Sequence, residues 1–162
     1  MTILAREQYN EFIQSLAVAT RLMNLEIKKT IEKKKVFDTT YMKNTTIVKI
    51  KLAPENKKPL TVEIDTTEYY KYMDGGTGIF GRFKTRIPDE SIPGMAYYLK
   101  DWAERKGLNP YAVATSIVQR GGLKPREITK EFVNSKKFRS EINRVTGAWA
   151  RWQSIEKIRQ RK

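Results

Sequence analysis

The sequence predicts an α+β fold: a long N-terminal helix, a small antiparallel β-sheet, and several helices running to the C-terminus. Three observations carry that prediction. Apolar residues over 3–33 recur at spacings of mostly three and four, with no Pro or Gly inside the stretch. Between Val48 and Ile64 the period shortens to two. From Pro93 onward helical spacing returns, punctuated by Gly and Pro at segment ends.

The first helix places Leu4, Tyr9, Phe12, Ile13, Leu16, Ala19, Met23, Ile27 and Ile31 on one stripe. Lys33-Lys34-Lys35 closes it, where cations suit the negative end of the helix dipole. Thr39, Thr40, Asn44 and Thr45 read as a loop. Val48, Ile50 and Leu52 then alternate with Lys49 and Lys51, and Leu60, Val62 and Ile64 alternate with Thr61, Glu63 and Asp65. These are two half-buried strands joined by a polar loop from Pro54 to Pro59, whose prolines cannot extend a ladder. Tyr69, Tyr70 and Tyr72 suggest a third short strand ending in Asp74-Gly75-Gly76-Thr77-Gly78. Residues 79–92 read as an irregular arm exposing Arg82, Lys84 and Arg86.

Pro93 suits a first helical turn, with Met95, Leu99 and Trp102 on one face before Gly107 ends the helix. Asn109-Pro110 starts the next helix and Gly121-Gly122 stops it. Pro125 is expected to open a short helix through Phe132, followed by a long helix from about 136 to 160. In the latter, Phe138, Ile142, Val145, Trp149 and Trp152 form a narrow heptad-like stripe. Two domains are expected: 1–125, and a basic helical extension over 126–162 packed on it or on a neighbouring subunit.

The chain has 162 residues, no Cys, no His and a net charge of +14. A chain of this length buries roughly 68–70% of its unfolded surface, enough for a core without staples. Lack of Cys removes disulfides, thiolate metal sites and cysteine nucleophiles; lack of His removes the commonest general base. No apolar leader and no window of 18 apolar residues appears, so neither a signal peptide nor a membrane span is expected. The charge is uneven. Residues 120–162 hold 13 basic and 4 acidic groups, a net +9. Such a concentration attracts phosphates, although a solvated helical face carries charge equally well.

Three constellations invite a chemical reading. Gly76-Thr77-Gly78-Ile79-Phe80-Gly81 matches G-x-G-x-x-G, but residues 82–88 alternate and then break at Pro88, with no βαβ context. A turn using Gly for positive φ explains it better than a dinucleotide site. Asp65, Glu68 and Asp74 lack metal-ligand spacing, and alternation puts Asp65 on the wet face. Trp149 and Trp152, standing among Arg144, Arg151 and Lys157, are candidate stacking platforms for a single strand. Their position on the apolar stripe favours packing, leaving phosphate or solvent contact to the cations around them.

A more specific pattern runs through the middle of the chain. Tyr69-Tyr70-Lys71-Tyr72-Met73-Asp74-Gly75-Gly76-Thr77-Gly78 is followed by Trp102-Ala103-Glu104-Arg105-Lys106-Gly107, by Tyr111-Ala112-Val113-Ala114-Thr115-Ser116-Ile117, and by Gly121-Gly122-Leu123-Lys124-Pro125. In order and spacing this resembles the tail-completion (neck) protein family of tailed bacteriophages over roughly residues 45–125. Tyr69, Tyr72, Asp74, Gly76 and Thr77 fill that family's aromatic-acidic-glycine turn. Trp102, Lys106 and Gly107 fill a second motif, and Tyr111, Ala112, Ala114, Ile117 and Gly121 a third. The 79–92 arm and the basic segment after about 130 lie outside the pattern.

The resemblance implies a virion structural protein with no reaction to catalyse and no cofactor. Copies would form a ring, commonly six-fold or twelve-fold, joining portal or adaptor proteins to the tail around the double-stranded DNA channel, after assembly in the host cytoplasm. It implies a sheet-end turn and subunit interface at Tyr69, Tyr72, Asp74, Gly76, Thr77 and Gly78, with both tyrosines buried in the core or a subunit seam. Helix packing would fall to Trp102, Tyr111 and Ile117 within the resemblance and, by the apolar stripe of the last helix, to Trp149 and Trp152. Lys130, Lys136, Lys137, Arg139, Arg144 and Arg151 would face DNA or a neighbouring ring. The alternative is a sequence-independent nucleic-acid-binding protein that uses the basic C-terminal helix as a monomer or dimer. An enzyme such as a nuclease would need a metal-bound carboxylate set.

Overall fold

The structure, a computed structural model, describes residues 3–35, 39–52 and 60–160. Its elements are α1 (Ile3–Lys33), α2 (Thr39–Thr45), β1 (Ile47–Leu52), β2 (Leu60–Asp65), α3 (Glu68–Gly75), α4 (Ile92–Arg105), α5 (Pro110–Gln119), α6 (Ile128–Asn134) and α7 (Lys136–Gln160). This is an α+β architecture with one two-stranded antiparallel sheet. No helix among the described residues is long and apolar enough to cross a membrane. The chain forms two compact units. One comprises Met1–Thr30, Asn44–Asp65 and Lys130–Lys162; the other comprises Ile31–Lys43 and Thr66–Thr129.

In the first unit, Phe12 and Ala19 of α1 meet Val145 and Ala148 of α7 in a buried cluster. Leu16, Ile50, Leu60, Trp149 and Trp152 pack around it. The Trp152 ring stacks on Phe12 with centroids 5.7 Å apart and Tyr9 tilts against it at 5.3 Å. Ser135 caps α7 by accepting the Phe138 N–H at 3.1 Å. The strand register pairs Val48 with Ile64, Ile50 with Val62 and Leu52 with Leu60, which sets the apolar alternation of both strands on one face. On the other face Lys49 meets Asp65 and Lys51 meets Glu63, each at 2.7 Å. The Asp65 hydrogen bond and charge raise the Lys49 pKa and reciprocally lower that of Asp65. Being exposed, these pairs add little stability.

A two-stranded sheet is marginal alone. Here Asn24 of α1 supports it: its Oδ1 accepts the Val48 N–H and its Nδ2 donates to the Val48 carbonyl, both at 2.8 Å. One amide side chain thus satisfies both backbone groups of Val48 as a neighbouring strand would.

In the second unit, Ala96 and Leu99 of α4 pack on Ala114 and Ile117 of α5, surrounded by Ile87, Ile92, Met95, Trp102, Val113 and Leu123. Pro93 lies in the first turn of α4, and Gly107, at φ +67°, follows its end. Asn109 caps α5, its Oδ1 accepting the N–H groups of Tyr111 and Ala112 at 2.9 and 3.2 Å.

Several expectations are corrected. The tyrosine stretch is the helix α3, not a third strand: Tyr70 and Met73, three apart, are the buried residues. Aromatic residues suit strands by propensity, but the burial of an i, i+3 pair decides. The Asp74–Gly78 turn therefore follows a helix, not the end of a sheet. Residues 39–45 form α2, whose Met42 is buried and whose Lys43 pairs with Glu32 of α1. Helix α6 starts at Ile128, not Pro125, because Arg126 and Glu127 donate their N–H groups elsewhere and Glu127 takes φ +51°. Leu4, Tyr9 and Ile13 are exposed, so the buried stripe of α1 is narrower than its apolar pattern. The Pro54–Pro59 loop lies outside the described residues.

Phe12→Ala is expected to destabilise the chain by about 3–5 kcal/mol in urea unfolding followed by tryptophan fluorescence. Leu4→Ala on the same sequence stripe should change stability by no more than about 0.5 kcal/mol.

Candidate functional site

The residues singled out around the glycine turn come together with a second segment 45 positions later. Past the end of α3, the Thr77 N–H donates to the Leu123 carbonyl at 2.9 Å and the Ile79 N–H to the Gly121 carbonyl at 2.8 Å. The Thr77 hydroxyl accepts the Leu123 N–H at 2.9 Å. Further back, the Arg126 and Glu127 N–H groups donate to the Met73 and Asp74 carbonyls. The Asp74 carboxylate accepts the Thr129 N–H at 2.7 Å, serving an otherwise unpaired donor in the first turn of α6. Residues 73–79 and 121–129 are thereby zipped along their length.

The zip closes only because glycines stand where the backbones cross. Gly76 and Gly78 have φ of +72° and +62°. A Cβ on Gly78 would lie 2.0 Å from the Gly121 carbonyl oxygen, and one on Gly122 would lie 2.1 Å from that of Thr77. Gly81, third in the G-x-G-x-x-G pattern, has ordinary extended backbone at φ −80°. The pattern marks a backbone crossing, and no helix N-terminus follows it to receive a phosphate.

Tyr70 stands behind the zip, its hydroxyl 3.1 Å from that of Thr129. Burial pushes its phenol up to about 12; the Asp74 charge adds to the rise, and the Thr129 hydrogen bond opposes it. Tyr72, expected in the core or a seam, is 48% exposed, because it lies on the side of α3 opposite Tyr70 and Met73. The side chain of Tyr69 lies outside the described set. Tyr111, expected in packing, is exposed on the first turn of α5, whereas Trp102 and Ile117 belong to the α4–α5 core.

Two clefts flank this crossing. The larger, about 740 Å³, has Trp102, Val113, Ile117 and Leu123 in its wall, with Arg120, Lys124 and Arg126 along it. The Lys124 ammonium sits 5.6 Å above the Phe80 ring. The second, about 440 Å³, is lined by Tyr72, Ile87, Met95, Tyr98, Leu99 and Leu123. Sequence reasoning missed Tyr97 and Tyr98, which are 77% and 68% exposed. The signal for Tyr97 was its place opposite the Met95, Leu99 and Trp102 stripe; Tyr98 flanks that stripe and lines the same cleft as Met95 and Leu99. Among the described residues, no group of three or more His, Cys, Asp or Glu is arranged to hold a metal ion.

The basic candidates sit in the other unit, on α6 and α7. Lys130, Lys136 and Arg139 are exposed, and Lys137 is half-buried. Arg139 donates to the Asn134 Oδ1 at 2.7 Å. Arg144 pairs with Glu141 and Arg151 with Glu11, so these two arginines already face carboxylates. Trp149 and Trp152 pack their rings against the α1–α7 cluster.

Fold and site together define an α+β chain with a glycine-locked turn, two open clefts and a cationic C-terminal helix. No known protein family, curated protein or solved structure matches it.

Gly78→Ala combines a left-handed backbone with a direct overlap and should cost more than about 3 kcal/mol in urea unfolding. Gly75→Ala, with nothing within 4 Å of the added Cβ, should be neutral or slightly stabilising. The raised Tyr70 pKa sets a pH dependence whose sign is fixed: the unfolded phenol ionises near 10, the folded one near 12. Stability from Tyr70 is complete below pH 10 and is lost as pH rises toward 12. Urea midpoints of the parent chain should therefore fall relative to those of Tyr70→Phe across that window.

Proposed function

We propose that the protein is a structural component of the neck of a tailed phage: a ring that joins portal or adaptor proteins to the tail, with double-stranded DNA passing through its centre. The observation that carries this reading is the zip between residues 73–79 and 121–129. It unites the aromatic-acidic-glycine turn and the Gly121 motif of the family resemblance in one rigid crossing. There the Asp74 carboxylate is spent on the N-terminus of α6. Exposed tyrosines and apolar clefts beside the crossing support a role in self-association, since contiguous apolar surface commonly marks an interface. A ring needs a heterologous contact, in which one patch meets a different patch until rotation closes. On this reading the protein performs no catalysis, and its place is the virion.

The excess cations of 120–162 suit a channel wall, because contacts to phosphates hold DNA without reading its bases and so allow it to slide. The same exposed Lys136 and Arg139 favour the second reading, a monomeric or dimeric protein that binds nucleic acid without sequence preference.

Native mass spectrometry of the purified chain separates the two: a closed ring of a single stoichiometry is expected, and a monomer or dimer at every concentration overturns the ring. Duplex affinity should fall steeply with salt in either case. Lys136→Glu with Arg139→Glu should flatten the slope of log K against log salt by about 0.9 for each phosphate no longer neutralised.

A further inference from the structure

We propose that the arm between the glycine turn and α4 is an intermolecular tether: its tip, Phe83, seats in the apolar cleft beside α4 of a second copy of this chain. The inference rests on the ring reading and names the two patches that would meet.

The arm is held at both ends. At one, the Ile79 N–H is tied to the Gly121 carbonyl; at the other, Ile87 packs into the α4–α5 core. Between these anchors the backbone makes successive tight turns, Gly81 N–H to Gly78 carbonyl and Lys84 N–H to Gly81 carbonyl. Lys84 adopts φ +48°, a conformation uncommon outside glycine. The Thr85 hydroxyl donates to the Phe83 carbonyl at 3.1 Å and fixes the tip. The result is a folded loop that holds a phenyl ring out to solvent, 83% exposed. A large apolar side chain displayed on a pinned turn is organised for insertion.

The cleft supplies a matching seat. Its volume of about 440 Å³ is walled by Met95, Leu99, Tyr72 and Tyr98, and is open to solvent. The Tyr97 ring packs edge-on against Tyr98 with centroids 5.7 Å apart, bracing one wall. Ile87 of the same chain already forms part of that wall, and the turns over 78–84 fold Phe83 into a loop of its own.

Charge identifies the occupant. The tip carries Arg82, Lys84 and Arg86 with no carboxylate from 79 to 88. Asp89 and Glu90, both exposed, share one short helical turn with Ser91, which lines the cleft. These cations and carboxylates lie a few residues apart in one chain, yet form no ion pair with one another or with any other described residue. The Arg82 guanidinium instead lies over its own Phe83 ring at 5.7 Å. A second copy brings the complementary set: its basic, phenyl-tipped arm matches an apolar cleft whose lining shares an acidic turn. Because arm and cleft are different patches, the contact is heterologous and propagates around a ring.

The chain has no cysteine, so engineered thiols report this contact without background. Thr85→Cys and Ser91→Cys proteins, which keep the Phe83 ring and the tyrosine wall of the cleft, are purified separately, mixed and treated with a short bis-maleimide. Thr85→Cys mixed with Thr61→Cys, an exposed position of β2, is the reference. A ten-fold or greater excess of cross-linked Thr85→Cys/Ser91→Cys heterodimer is expected. Phe83→Asp, at a surface position that leaves the fold intact, should shift native mass spectra from the assembled species to monomer. If the parent chain assembles but the cross-link yield equals the reference, the tether is wrong and the ring reading stands. If the parent chain stays monomeric at every concentration and the yield equals the reference, both are overturned.

Discussion

The second unit depends on how closely two stretches of backbone approach each other. At Gly78 and Gly122 the carbonyl of the opposing segment lies where a side chain would begin, so no other residue fits without moving the chain. One crossing thereby sets several features. It turns the chain out of α3, aligns Asp74 with the N-terminus of α6, and places Leu123 in the walls of both clefts. It also fixes the root of the arm through Ile79. Thr77 contributes twice, through its N–H and its hydroxyl, so a single residue orients both segments of the crossing.

The first unit solves a different problem. A two-stranded hairpin cannot bury enough surface to stand alone, and Asn24 gives it a hydrogen-bonding neighbour drawn from a helix. The α1–α7 cluster then takes up Val145, Trp149 and Trp152 of the basic helix's apolar stripe in cis, while Phe138 packs edge-on against Phe132 of α6. That leaves the cations of α7 facing outward. Their field is uneven: Arg144 and Arg151 are neutralised locally by Glu141 and Glu11, while Lys136 and Arg139 remain unmatched by any carboxylate among the described residues. The Arg151–Glu11 pair is exposed on both sides and therefore weak, so a phosphate competes for that arginine at modest cost.

Much of the fold was legible because it rests on local signals. The helix boundaries at Lys33, Gly107 and Asn109 follow from dipole, glycine and capping chemistry, and the two strands with their apolar faces follow from alternation. The misread segments are those where a distant partner decides. Tyr69, Tyr70 and Tyr72 have strand-like composition, but burial of Tyr70 and Met73 makes α3 a helix. Pro125 looks like a helix start, yet the segment after it is drawn onto Met73 and Asp74, and α6 begins three residues later. The glycine turn was legible as a turn with positive φ, but its partner at 121–123 was not, since nothing local links positions so far apart. The role of Asp74 as a cap for another helix was hidden for the same reason. The exposure of Phe83 and Tyr97 could not be read at all from residue type, because both are residues that composition assigns to a core.

A rigid crossing beside a projecting arm has an energetic logic for assembly. Association loses freedom of motion, and each loop or side chain ordered at the interface adds to that cost. An arm tied at Ile79 and Ile87, with its tip pinned by its own hydrogen bonds, has most of that ordering completed within the fold. A ring repeats each contact at every interface, so a small cost avoided per copy multiplies around the circle. On the ring reading, the glycines that forbid side chains at the crossing thus serve assembly indirectly: they provide the stiff base from which a short, charged, phenyl-tipped loop can reach a neighbour without folding anew.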